Sequence, residues 1–194
     1  MSQAATRQGL TGNTLKLIAI LSMTLDHMGV HLFPGIDLFR ILGRLALPIF
    51  AYMIAEGCRH TQNPRKYLLT ILAVAALCQA VFFLAMGSLY QCILVTFLLS
   101  ILLIQSLDRA RKQRTGGTFF AAALIWLAVF FVCLGLPKIL DHTDFAIDYG
   151  IWGVLLPVFI FLGRTQKEKL LLSCGGLVLL AIFFRNLGDR KSVV

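Results

Sequence analysis

Seven apolar stretches, each close to the length of a bilayer crossing, follow one another along this chain. They lie at 14–33, 39–57, 67–87, 90–106, 118–136, 147–163 and 169–185. A helix rises ~1.5 Å per residue, so about 20 mainly apolar residues span the ~30 Å hydrocarbon core. Lipid offers no water to backbone N–H and C=O groups, and the helix satisfies them within the segment itself. The sequence therefore predicts an all-α, polytopic membrane helical bundle of about seven transmembrane helices, built as a single integral membrane domain over 1–194.

Composition agrees with that reading. Hydrophobic residues make up 58% of the chain and charged residues 14%, where a soluble domain sits near ~45–50% apolar. The net charge of +9 would suggest nucleic acid in a soluble protein. Here the bases bracket apolar runs, which is the pattern that orients membrane helices. The lipid bilayer is the expected partner and nucleic acid is not. The five cysteines, Cys58, Cys78, Cys92, Cys133 and Cys174, form no CxxC and suit neither a zinc site nor a disulfide framework. The first apolar run is too long for a signal-peptide core and reads as a retained helix. Thr11 or Asn13 is placed to cap it. "HTQNPRKY" and "DRARKQRTGG" are polar, basic breaks punctuated by Pro or Gly.

Lysine and arginine set the expected orientation. Arg59, Arg65 and Lys66 follow the second stretch, Arg109, Arg111, Lys112 and Arg114 the fourth, and Arg164, Lys167 and Lys169 the sixth. The intervening connections are poor in base, so the N-terminus is expected in the cytoplasm. The basic tail "RNLGDRKSVV" disagrees with an outer C-terminus. Either the rule fails there or the last segment does not cross.

Inside this apolar frame stand ionisable residues, which hydrocarbon tolerates only when they are paired or wet. "TLKLIAILSMTLDHMGVHLF" carries Lys16 at its start and Asp26–His27 deep within it. Lys16 and His27 are eleven positions apart. At ~100° per residue that returns to within ~20° of one face, some ~16 Å along the axis. One face then presents a cation near one membrane boundary and an imidazole near the midplane. Asp26 lies on a neighbouring face and needs a partner from another helix. In the second stretch, Arg40, Arg44, Pro48, Tyr52 and Glu56 recur every fourth residue. Pro48 frees the carbonyl of Arg44, so a kink or polar cavity is expected there, and Arg44 is the expected partner of Asp26. Each residue alone has a structural reading: a hydrogen-bonded histidine, a salt bridge, a snorkelling end group. Their convergence marks a site or a proton pathway.

"DYGIWGVLLP", residues 148–157, is the other unusual stretch. Gly150 and Gly153 lie on roughly one face and invite close helix packing. Pro157 is expected to interrupt the helix, and Trp152 suits an interfacial belt. Asp148 and Tyr149 form an expected polar rim at the outer mouth. Asp141, His142 and Asp144 are a weak metal signal, and no metal is expected.

Taken together, "LTGNTLKLIAILSMTLDHMG", "GRLALPIFAYMIAEG", "HTQNPRKYL" and "DYGIWGVLLP" resemble, in content and order, the TraX family, named for the membrane protein that acetylates the N-terminus of F-type pilin. The resemblance implies a multi-pass enzyme of the bacterial inner membrane that uses acetyl-CoA. It is distantly similar to transmembrane acyltransferases such as acyltransferase family three, whose first helix carries a basic residue, ten arbitrary residues and a His. Lys16 and His27 fit that spacing. The family's "QN" pair after the third span stands here as Gln91–Cys92.

The resemblance implies an acyltransferase with His27 as general base, assisted by Asp26 and Arg44. Lys16, Arg59, Arg65 and Lys66 would hold the donor's phosphates. Tyr52, Glu56, Asp148 and Tyr149 would meet the acceptor, which is a protein N-terminus, a small molecule or a glycan. Two rival readings come from the same residues: a proton-coupled transporter relaying through Asp26, His27 and Glu56, and a non-catalytic membrane assembly factor.

Overall fold

A computed structural model describes residues 12–33 and 36–191. The described chain is nearly all helical, and every predicted apolar stretch is helical. α1 is Gly12–His31, α2 Asp37–Gly43, α3 Ala46–His60, α4 Pro64–Met86 and α5 Ile93–Gln113. α6 (Gly116–Phe130) passes through a π-helical turn, Phe131–Gly135, into α7 (Leu136–Ile139). α8 (Gly150–Leu162) and α9 (Gln166–Lys191) complete it. Among the described residues, four segments are long and apolar enough to cross a membrane: Ile41–His60, Pro64–Met86, Ile93–Gln113 and Gly116–Ile139. α8 is apolar but shorter. The chain divides into two compact units, one up to Met53 and one from Ile54 onward.

In the first unit α1 packs on α2. The second predicted stretch is broken at Arg44–Leu45, between α2 and α3. Pro48 stands in the first turn of α3, where its missing N–H leaves the Arg44 carbonyl without a helical donor and favours a fresh helix start. The stripe expected from Arg40 to Glu56 therefore does not run along one helix. Pro48, Tyr52 and Glu56 share α3, while Arg44 sits in the break. Arg40's side chain and Thr11 lie outside the described residues.

In the second unit α5 is the central rod, with Thr96, Phe97, Ser100, Ile101, Leu103 and Ile104 buried. It packs on α4, α6 and α8, and α8 packs on α9. Leu103 and Ile104 join Val129, Cys133, Ile151, Val154 and Val158 in the core. Ser100 Oγ lies 2.8 Å from the Val154 carbonyl and 3.0 Å from that of Thr96, so one hydroxyl links α5 to α8 where no water is at hand. Around this core α4 and α6 turn Leu69, Leu77, Leu84, Phe120 and Leu127 outward. Side chains so apolar and so exposed need lipid around them, and the protein is a membrane protein.

Local signals explain the helix ends. Asn63 caps α4, its side chain accepting from the Lys66 N–H, with Pro64 at the first helical position. Two expectations about the 148–157 stretch are corrected. Pro157 lies fully buried inside α8, which continues to Leu162; in tight apolar packing the helix accommodates the lost bond. Gly150 makes no close packing contact. It adopts φ +56 just after Tyr149 at φ 58, so its role is the left-handed turn that starts α8. Gly153 does pack: a Cβ there would lie 3.2 Å from Thr96 Cγ2 on α5.

Candidate functional site

The polar face of α1 comes first. His27 is exposed, and its Nδ1 lies 2.8 Å from the Met23 carbonyl one turn back. Nδ1–H donating to that carbonyl selects the tautomer whose basic lone pair is on Nε2. The helix's own backbone thus orients the ring and decides which nitrogen can accept a proton. Lys16 is exposed on the same helix, and Asp26 is half-buried. What meets Asp26 is the backbone of Gly43, at the end of α2. A Cβ on Gly43 would stand 2.7 Å from Asp26 Oδ1 and overlap the Asp26 Cβ. Only a residue without a side chain allows α2 this near. Among the described residues no ion pair joins Asp26 to Arg44. Arg44 is exposed in the turn after Gly43, and Tyr52 is half-buried on α3. Gly43 was missed in the sequence because a glycine before a charged residue carries no pattern of its own.

An ionic cluster forms in the second unit. Lys169 Nζ lies 2.6 Å from Glu56 Oε1, with side chains 7% and 21% exposed. His60 Nε2 is 3.2 Å from the other carboxylate oxygen, and Arg59 Nε is 3.8 Å from the first. Arg59 Nη2 donates to the carbonyls of Phe161 and Gly163 at 2.6 and 2.8 Å, and its guanidinium lies over the Phe161 ring. Those carbonyls are the unpaired acceptors at the C-terminus of α8, where a cation also suits the helix dipole. Gly163 permits the approach: a Cβ would be 2.9 Å from the Lys169 backbone nitrogen. Glu56 and Arg59 are thus joined to the α8–α9 turn. Lys169 was read only as a connecting-loop base. Its partner is 113 positions away, and no local spacing reveals such a pair.

Arg65 and Lys66 stand exposed in the first turn of α4, on a shallow groove of about 600 Å³ that Leu69 and Thr70 also line.

At the other end of the helices, two loops are clasped. The Gln91 N–H donates to the Ala146 carbonyl, and the Asp148 N–H to that of Gln91, as a parallel bridge of Gln91 with Ile147. Tyr90 Oη donates to Asp148 Oδ1 at 2.8 Å, and Thr96 Oγ1 to the Asp148 carbonyl. Burial, then the Asp148 carboxylate, raise the Tyr90 phenol's pKa. Asp144 accepts from the Leu89 N–H at 3.0 Å, and the Ser88 hydroxyl and that N–H hold its carboxyl below the ordinary range. Gln79 on α4, absent from the sequence reading, donates to the Tyr90 carbonyl and accepts from the Cys92 N–H. Tyr149 starts α8. The five cysteines are free thiols. No group of three or more His, Cys, Asp or Glu converges as a metal site among the described residues.

These features can be set beside known proteins. Residues 11–193 match the family described as TraX protein. The chain is 29% identical to the "Probable fimbrial assembly protein FimC, serogroup H1" of Dichelobacter nodosus, a match covering 86% of this chain and 70% of that protein. It is 26% identical to the "Uncharacterized protein RP591" of Rickettsia prowazekii (strain Madrid E), covering 82% of this chain and 58% of the relative. No solved structure matches it. With the match running over nearly its whole length, this helical membrane chain belongs to the TraX family.

Proposed function

We propose that this protein is a membrane-embedded acyltransferase of the bacterial inner membrane that moves an acetyl group from cytoplasmic acetyl-CoA onto an acceptor amine or hydroxyl. The observation that carries the reading is the α1 face: Lys16, ten residues, then an imidazole whose Nδ1 is held by the Met23 carbonyl. Family membership supports the reaction class, and the fimbrial name of a relative supports a pilin N-terminus as the acceptor class.

In this mechanism His27 Nε2 takes a proton from the acceptor N–H or O–H as the nucleophile attacks the thioester carbonyl. The C–S bond breaks, and the CoA thiolate leaves and recovers the proton from the imidazolium. Nδ1, bonded to Met23, keeps the ring in register throughout. Lys16 serves the donor's pyrophosphate or pantetheine arm. Arg44 stabilises the oxyanion. Acceptors that approach from the opposite membrane face explain why the base is deep in the helix.

Calorimetric titration of the detergent-purified protein with acetyl-CoA tests the donor half. Micromolar binding that weakens about tenfold in Lys16→Ala is expected, the size of one lost charge-assisted contact. Undiminished binding in that variant would remove Lys16 from the donor site. The relative named for fimbrial assembly favours a second reading, a non-catalytic factor that holds a small membrane protein; that protein would bind no acetyl-CoA.

A further inference from the structure

The ends of α5 and α8 and the start of α6 border an open pocket of about 590 Å³ lined by Arg111, Arg114, Phe119, Leu162 and Arg164. Arg111 is in the last turn of α5, and Arg114 is its left-handed C-cap at φ 50. Arg164 follows Gly163, the C-cap of α8. The neighbouring bases are engaged elsewhere: Lys112 pairs with Asp108 at 2.6 Å, Lys169 with Glu56, and Arg59 with the carbonyls of α8. Arg111, Arg114 and Arg164 take part in no salt bridge among the described residues. Beside Arg164 stands Glu168, whose carboxylate accepts from the Arg164 and Thr165 N–H groups at 2.8 and 3.4 Å. With three arginines in its lining and Glu168 beside it, the pocket is cationic.

Membrane orientation asks only for a count of positive charges on one side. It does not ask that residues fifty positions apart in the chain converge on one cavity, or that all three be arginine. The planar guanidinium fork matches phosphate oxygens bidentately, which an ammonium cannot do. The volume is that of a small-molecule site rather than of a single ion, and Phe119 and Leu162 give it an apolar wall.

We infer that the Arg111–Arg114–Arg164 pocket is a binding site for a phosphorylated ligand, bound through its phosphate groups. Phosphate of this kind comes from a soluble nucleotide-type molecule or from an anionic lipid headgroup. The inference does not depend on acetyl transfer.

The test uses the full chain in phosphatidylcholine nanodiscs, titrated calorimetrically with inorganic pyrophosphate and with adenosine 3′,5′-bisphosphate. A parallel arm follows retention of phosphatidylglycerol against phosphatidylcholine by native mass spectrometry. Arg111→Ala, Arg114→Ala and Arg164→Ala should each weaken the bound probe about tenfold, one charge-assisted contact apiece. Arg109→Ala, which removes an exposed base of the same helix outside the pocket, should leave it within about twofold. Loss in the soluble arm identifies a nucleotide-type ligand, and loss in the lipid arm alone identifies a headgroup. Binding in neither arm, an unaltered triple variant of normal thermal stability, or equal weakening by Arg109→Ala would overturn the proposal.

Discussion

The α1 face and the Glu56–Lys169 cluster use the same residue types in opposite ways. Around Glu56, the neighbouring basic side chains are engaged: Lys169 and His60 on the carboxylate, Arg59 on the α8 carbonyls. The pairing crosses the fold and is largely buried, so its charges hold helices together. On α1, His27 is oriented by its own helix, Lys16 is exposed, and neither Lys16 nor Asp26 enters a salt bridge among the described residues. Charge that is neutralised across a fold supports architecture, whereas Lys16 and Asp26 hold no helices together through an ion pair among the described residues. The two regions should therefore fail differently.

His27→Ala should separate them most sharply. We expect acetyl transfer to fall by ~10²–10⁴-fold, the usual contribution of a general base, with the melting temperature held; retained turnover would sink the assignment. Lys169→Ala should do the reverse and destabilise by ~1–3 kcal/mol, because the partly buried Glu56 carboxylate loses its shortest charge-assisted bond and keeps only His60 and Arg59. The double change Glu56→Leu with Lys169→Met should recover much of that loss, as replacing a buried pair by apolar groups often does. Thermal unfolding in detergent of both variants decides it, and equal losses would mean the pair is not the unit of stability.

Gly43→Ala tests how α2 frames the α1 face. The added methyl meets the Asp26 Cβ, and forcing it in should cost about 1–3 kcal/mol and reduce turnover alongside stability. The smallest expected effect is on pH. Asp144 is held below its ordinary pKa, so its contribution is present above the unfolded value near ~4 and is lost as pH falls through the folded value. The hydrogen-exchange protection of the Leu89 amide should decline in acid, and Asp144→Asn should show that weakened protection already at neutral pH.

Period and breakers carried most of the fold. "HTQNPRKY" was legible as a polar break with proline punctuation, and α4 begins there; that Asn63 caps it came from the structure. The apolar runs foretold α1, α4 and α8 to within a few residues, whereas α5 continues past the apolar run through the basic residues to Gln113. What local sequence could not convey was which helix meets which. Lys169 read as a loop base because its acid lies on a distant helix. Gly150 and Gly153 looked alike, yet one supplies a left-handed turn and the other a contact with Thr96. Pro157 read as a breaker because propensity ignores the buried packing that keeps α8 continuous. On α1, the spacing of Lys16 and His27 was legible, since one helix fixes both. The tautomer was not, because it depends on where Met23's carbonyl points.

The bridge between Gln91 and Ile147 has a topological consequence. Two backbone hydrogen bonds close the chain on itself, so that α5, α6, α7 and the turns between them form a ring with a non-covalent seal. A peptide bond cut within the basic turn between α5 and α6 would open that ring without parting its ends. The fragments would stay registered by the seal on one side and by the α5–α6 and α5–α8 contacts on the other. This part of the molecule depends less on an unbroken chain than on the clasp that gathers it.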